Sequence, residues 1–300
     1  MRRGLLLILW AALLAAGLAL AAGFLGALHP AGDTLGVFRL QFAALALVLA
    51  LSAAALSRRR ALPLAAALAA LLAAAPAALS YRASAAPTAG PHALYQKNLY
   101  FRLPDAGAII ADIRASGAAV VTLQEVTEPN RAVMQALAGS HPVQAWCPYA
   151  RSRAGGTAVL SAWPALGEPL CPEGGGLTAV RLQAPFGPVW AVSLHLLWPW
   201  PYGQETQAAR VAGFLAGLDG PVILGGDFNM APWGWSLRRI ARAAGAAKAG
   251  PTATTLAGKI PFAPLTIDHV LLPRGWRGAQ EIRPELGSDH RGILLRFAAP

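Results

Sequence analysis

Charge is what this 300-residue sequence has least of: only 13% of residues are charged, against 55% hydrophobic, a poor ratio for a soluble protein. Acids are scarcer than bases, 14 against 25, and their distribution is uneven. Residues 1–80 hold one acid, Asp33, and six arginines (Arg2, Arg3, Arg39, Arg58, Arg59 and Arg60), so 13 acids and 19 bases remain for residues 81–300. A compositional boundary therefore falls near residue 80. Polar residues are nearly missing from the long apolar runs before it; Arg39 and Gln41, near the start of one run, are thin support for a transporter or channel, which needs polar groups within the membrane. After residue 91, repeats and low-complexity tracts are absent. Over residues 81–300 there is no dense Lys/Arg run either, Arg151 with Arg153 being the nearest to a cluster. Cysteine is limited to Cys147 and Cys171, which allows one disulfide at most.

What fills the first segment is three apolar runs, which predict membrane spans over about 4–28, 35–56 and 62–80. The third is the shortest and contains Pro63 and Pro76, tolerable near span ends. A cleaved export signal is the alternative for Met1-Arg2-Arg3 and its Ala/Leu run, but two more apolar runs follow. Basic residues flanking spans stay in the cytoplasm, which places Arg2, Arg3 and Arg58 to Arg60 inside. A short turn at 30–34 then lies outside, and the chain emerges after the third span on the far side, the periplasm if the membrane is a bacterial inner membrane. Residues 81–91, small and proline-containing, read as a linker to a domain over 92–300. Both cysteines fall in that exported part, each before a proline, flanking a strand-like run at 156–162; a bridge is expected there, with two separate buried thiols as the alternative.

Beyond the linker, strand-like and helix-like pieces alternate. Helical spacing marks 106–116, 129–138, 204–218 and 235–244, and strands are expected at 118–124, 156–162, 177–183, 189–194, 222–225, 266–272 and 293–297. Several strands end in polar residues, which suits a site held at the rim of a rigid sheet.

Four of those ends carry carboxylates or imidazoles: Leu123-Gln124-Glu125-Val126, Gly225-Gly226-Asp227-Phe228-Asn229, Ile267-Asp268-His269-Val270 and Ser288-Asp289-His290. Singly, each has a bland reading: a surface carboxylate for Glu125, an ordinary turn for Gly-Asp-Phe-Asn, a core histidine for His195. In this order, with Asn98 upstream and His195 between, the set resembles the endonuclease/exonuclease/phosphatase superfamily, the metal-dependent phosphoesterases of the deoxyribonuclease I and exonuclease III type, over roughly residues 92–298. The resemblance implies an α/β fold, a two-sheet β-sandwich flanked by helices in four layers, here preceded by about three transmembrane helices.

Phosphodiester hydrolysis needs a cation to offset phosphate charge, an activated water and help for the leaving oxygen. Glu125, ending an otherwise apolar strand, is the best candidate ligand, and oxygen ligands suit Mg2+ or Mn2+. Asp268 paired with His290 would fix the imidazole tautomer and raise its basicity. Asp289 is expected to face the metal, and His269, on the opposite strand face from Asp268, to be structural. By resemblance, Asp227 handles the proton of water or leaving group, Asn229 donates to the phosphate, His195 contacts it, and Asn98 helps arrange the metal ligand. The glycines before Asp227 are expected to let the backbone bend close to substrate. Arg291 stands where the family often has proline.

The substrate stays open. Trp198, Trp200, Tyr202, Trp233 and Trp235 follow the motifs closely and suit base stacking, lipid-headgroup depth or plain packing alike. The net charge of +6 over residues 81–300 attracts polyphosphates, nucleic acid and anionic lipid without distinguishing them. The expectation is a membrane-anchored, exported phosphodiesterase acting on nucleic acid or a lipid headgroup. A phosphomonoesterase of the same fold and a non-catalytic phosphate-binding membrane protein are the alternatives.

Overall fold

The structure, a computed structural model, describes residues 2–82, 90–149, 154–256 and 264–300. Most of the expected linker, and Arg151 with Arg153, lie outside the described residues.

Three helices are long and apolar enough to cross a membrane among the described residues: α1 (Arg2–Ala22), α3 (Arg39–Leu56) and α4 (Ala61–Ser80), with mean hydropathies of 2.6, 1.9 and 2.1. Both α1 and α4 pack on α3, whose Ala43, Ala46, Ala50 and Ala53 are buried. Small residues let apolar helices approach closely where leucine would gain nothing over lipid. The sequence suggests a turn at 30–34 and a span starting at 35. Instead a seven-residue helix, α2 (Ala31–Val37), occupies this connection and ends at Phe38 (φ −98°, ψ 20°). Its position is held from both sides: Asp33 is buried against the domain, and Arg39 donates to Gly23 O at 2.9 Å while its guanidinium stacks over Phe24.

Two mixed sheets make up the rest. The first comprises β1 (His92–Asn98), β2 (Val120–Val126), β3 (Val143–Cys147), β4 (Gly156–Ser161), β10 (Arg277–Arg283) and β11 (Gly292–Ala298), in the order β10-β11-β1-β2-β4-β3. The second comprises β5 (Leu177–Ala184), β6 (Gly187–His195), β7 (Val222–Asp227), β8 (Ala246–Lys248) and β9 (Asp268–Pro273), in the order β5-β6-β7-β9-β8. β1 and β2 run parallel, as do β6 and β7; the other pairs are antiparallel. Leu94, Val120, Val159, Ile223, Val270 and Phe297 fill the space between the sheets. Helices α5 (Gly107–Ser116) and α6 (Arg131–Leu137) cover the first sheet through Ile109, Ile113, Val133 and Leu137. On the second, α7 (Gln204–Ala216) and α8 (Trp235–Ala243) bury Val211, Leu215, Leu237 and Ile240. This is the expected four-layer sandwich.

Cys147 and Cys171 are bridged, with Cα atoms 5.5 Å apart. Cys147 ends β3 of the first sheet, and Leu170, beside Cys171, bridges to Ala179 on β5 of the second. The bond therefore ties the two sheets together at one edge.

Candidate active site

Strand register brings the motifs to one rim. The parallel pair β1/β2 sets Asn98 opposite Gln124, the parallel pair β6/β7 sets His195 opposite Asp227, and β7/β9 sets Asp227 opposite Asp268. The two parallel pairs, one per sheet, end together around a cavity of about 500 Å³ lined by Glu125, His195, Asp227, Asn229, Asp289 and His290 among others.

Glu125 reaches the cavity because β2 breaks register against β4 between Leu123 and Val126, and Glu125 itself has φ 56°. A bulge re-aims a side chain, and the left-handed backbone of a non-glycine residue costs about 1–3 kcal/mol unless its surroundings enforce it. Here they do: Glu125 Oε1 accepts from Asn98 Nδ2 (3.1 Å) and Oε2 from the Phe101 N–H (2.6 Å). Asn229 shows the same pattern at φ 45°; its N–H donates to Asp227 Oδ1 (2.8 Å) and its Nδ2 to Leu196 O (2.7 Å).

Asp227 is the hub. Its Oδ2 accepts from Asn98 Nδ2 at 3.0 Å and lies 3.6 Å from His195 Nε2 and 3.8 Å from His290 Nε2. Burial, reinforced by Asp268, raises its pKa. Asp268 stays behind the cavity wall, 2.8 Å from His290 Nδ1 and 3.0 Å from Gln96 Nε2. Burial alone would raise its pKa, but His290 and these hydrogen bonds hold it below the usual carboxylate range. For His290 burial works the other way, and Asp268 with Asp227 outweighs it, so its pKa is raised and the ring carries both protons at neutral pH. His195 is part-buried at the cavity wall, and desolvation lowers its pKa, so it is neutral at that pH. Two histidines of one site thus hold different charge states.

Do these residues fit a divalent cation? Glu125, His195 and Asp227 present ligand atoms within 4.8 Å of one another, two carboxylates and a neutral imidazole at the cavity. That donor set fits. Asp227, Asp268 and His290 are equally compact, but Asp268 and His290 are already spent on each other as an ion pair. Of the expected ligands Asn98, Glu125 and Asp289, Glu125 belongs to the compact group. Asn98 meets that group as a donor, its Oδ1 accepting from the Tyr100 N–H (2.9 Å), and so orients Glu125 and Asp227 together. Asp289 lines the same cavity.

Gly225 and Gly226 serve the fold rather than a bend toward substrate. A Cβ on Gly225 would lie 2.3 Å from Thr122 Oγ1 across the sandwich, and one on Gly226 2.2 Å from Leu194 O. His269 is structural as expected: Nε2–H donates to Met230 O (2.8 Å), and burial drives its pKa down to about 3.

Several supporting residues escaped the sequence reading. Lys97 is buried and donates Nζ to Pro284 O (3.0 Å), Glu285 O (2.8 Å) and His290 O (2.6 Å), fastening the loop that carries Asp289 and His290. Ser288 Oγ donates to Asn98 O (2.8 Å) and accepts from the His290 N–H (3.0 Å). Gln96 props Asp268 and also donates to Gln124 (2.8 Å). The available signal was Gln-Lys-Asn interrupting a stretch that should be buried.

The sequence matches the model of the Endonuclease/Exonuclease/phosphatase family over residues 96–290. No curated protein matches it. Among solved structures, an endonuclease/exonuclease/phosphatase family protein from Leptotrichia buccalis is similar at TM-score 0.55 and 14% identity, covering 69% of this chain and 100% of that one. Truncated Caenorhabditis elegans TDP2 is similar at TM-score 0.52 and 17% identity (69% and 98% covered). Staphylococcus aureus beta toxin, in a structure with bound magnesium ions, is similar at TM-score 0.51 and 13% identity (68% and 98% covered). At these identities the likeness is one of fold.

Proposed function

The chain belongs to the endonuclease/exonuclease/phosphatase family, and on that premise we propose that it is a membrane-embedded, divalent-metal-dependent hydrolase of phosphodiesters, with its catalytic domain outside the cytoplasm. The observation that carries the reading is Asp227. It is shared between a carboxylate–imidazole group that fits a cation and an Asp268–His290 pair that holds a proton, all on one cavity. Glu125, Asp227 and His195 would hold Mg2+ or Mn2+, which supplies charge neutralisation at the phosphate and a more acidic water.

The chain's own groups divide the remaining work. Asp227, whose Oδ2 lies 3.6 Å from His195 Nε2 and 3.8 Å from His290 Nε2 on the cavity wall, is placed to take the proton of the attacking water. His290 holds a proton on Nε2 facing the same space, and Asp268 fixes the ring through Nδ1. A phosphoryl oxygen placed between would accept that N–H and meet a positive charge, which is where preorganised donors contribute most. Asn229 keeps one amide hydrogen for the phosphate, the other being given to Leu196 O.

Topology is supported by the arginines: Arg2 donates to Leu56 O at 2.9 and 3.2 Å, so the start of α1 and the end of α3 share one side, along with Arg58 to Arg60. By the positive-inside rule that side is cytoplasmic, which leaves α2 and the catalytic domain outside, at a bacterial inner membrane the periplasm. The test is full-length protein in detergent with Mg2+, offered bis(p-nitrophenyl) phosphate and p-nitrophenyl phosphate in parallel. Preference for the diester supports the proposal; turnover of the monoester alone identifies a phosphomonoesterase, and turnover of neither removes the enzyme reading.

A further inference from the structure

Building on that phosphodiesterase reading, we infer that the substrate is a membrane lipid, whose headgroup phosphodiester enters the cavity from the bilayer that holds α1, α3 and α4. The path from cavity to membrane is short. Leu196, Leu197 and Trp198, directly after His195, line the cavity. Two residues on, Trp200 O accepts from Thr34 Oγ1 (2.8 Å), and the Trp200 ring meets the His29 ring edge-on at 6.2 Å. Thr34 lies in α2, five residues before the first residue of α3, within about 10 Å of that span's end at helical rise. A second path leads from Asn229 to Trp233, whose Nε1–H donates to Gly36 O (2.6 Å). The cavity is therefore bordered by segments that rest on the membrane exit.

What those segments expose fits a bilayer surface. Trp200 is 49% and Tyr202 68% exposed, and Leu28, next in sequence to the His29 that meets Trp200, is 81% exposed. Such rings and leucines are unfavourable in water but favoured at headgroup depth, where tryptophan and tyrosine concentrate. The charge agrees: α8, capped by Asp33 of the same connection, presents exposed Arg238 and Arg242 stacked against Trp235, the arrangement that attracts an anionic leaflet. A lipid already in the leaflet would meet the cavity at the rim that Trp198 shares with the membrane-facing Trp200 and Tyr202.

Hydrolysis adds a water oxygen to phosphorus and breaks one bridging P–O bond. The products are a phosphomonoester and an alcohol, the alcohol oxygen leaving with a proton that Asp227 or His290 can relay.

The experiment uses the full chain reconstituted in vesicles of phosphatidylethanolamine and phosphatidylglycerol, scored for released phosphomonoester. The same preparation is assayed in detergent on bis(p-nitrophenyl) phosphate, with plasmid DNA alongside. The inference expects wild-type turnover of both lipid and chromogenic diester. It further expects Trp200→Ser/Tyr202→Ser, neither of which lines the cavity, to lower vesicle turnover at least tenfold while the chromogenic rate stays within twofold, and Trp200→Phe/Tyr202→Phe to restore it. Chromogenic and DNA turnover without lipid turnover overturns the inference and spares the phosphodiesterase reading. Equal loss of both activities in the serine variant, rescued by neither ring, overturns the membrane role of the rim. No turnover of any diester overturns the reading on which the inference rests.

Discussion

Asp33, the only acid among the first 80 residues, caps helix α8 of the catalytic domain by accepting from both the backbone N–H (2.9 Å) and the hydroxyl (2.7 Å) of Ser236. A third donor, the Trp235 N–H at 2.6 Å, completes the cap. A helix N-terminus normally finds such a carboxylate just upstream in the chain; this one is supplied from 202 residues away, out of the short helix α2 that connects α1 and α3. The two-sheet domain is thus seated on the connection between α1 and α3 rather than merely joined to it through residues 81–91.

Asp33→Ala should lower the stability of the full-length protein by about 1–2 kcal/mol, the usual range for an N-cap, and Asp33→Ser should recover part of it. Thermal unfolding in detergent reads this. An unchanged midpoint for Asp33→Ala would mean that the cap contributes nothing to seating the domain.

His290→Ala and Asp227→Asn should each reduce turnover at least about 100-fold, the ordinary contribution of a group that moves a proton in the rate-limiting step. Substrate binding should survive in His290→Ala, which leaves the cation group of Glu125, His195 and Asp227 intact. Steady-state kinetics on a chromogenic diester, with folding checked by circular dichroism, decide it; a near-normal rate in either variant removes that residue from the chemistry.

Lys97 makes no contact with the cavity in the arrangement above, yet its three hydrogen bonds hold the 284–290 loop. Lys97→Met should leave three carbonyls without their donor and cost about 3 kcal/mol in chemical denaturation, given about 1–3 kcal/mol per unsatisfied buried group. Turnover should fall with it as His290 loosens. If stability is unaffected, another donor has replaced the lysine.

His269 gives a pH dependence of stability. Its folded pKa of about 3 lies below the ordinary 6.5, so between these values the unfolded chain binds a proton that the folded protein refuses. Stability therefore rises with pH across that window and is lost as pH falls below 6.5, by up to about 1.4 kcal/mol per unit from this one group. His269→Gln keeps a donor for Met230 O and removes the titration. Denaturation of wild type and variant between pH 7 and 5 should show wild type losing ground to the variant; parallel curves would contradict it.

Much of this was legible in the residues. The three long apolar helices were readable because length and hydropathy suffice to mark a candidate span, and the strands with Glu125, His195, Asp227 and Asp268 at or near their ends were readable because polar residues stood beside apolar runs. Strand β1 was not readable: its Gln96, Lys97 and Asn98 are buried, and hydropathy cannot report a polar strand whose partners come from residues 124, 227, 268 and 290. Strand β10 was missed for the opposite reason, being a half-exposed edge strand with little apolar alternation. Asp33 looked like a loop residue because its partner is distant in sequence. The bulge at Glu125 leaves no trace in the sequence at all, although it is what turns the carboxylate into the cavity.

The central claim is that Glu125, His195 and Asp227 form a divalent-cation site on which turnover depends. The most direct measurement is hydrolysis of bis(p-nitrophenyl) phosphate by the full-length protein after treatment with excess EDTA, followed by stepwise return of Mg2+ or Mn2+. The account predicts no turnover in chelator, recovery with either ion, and no recovery in Glu125→Gln at the concentration that restores wild type. Full activity in excess EDTA would contradict it.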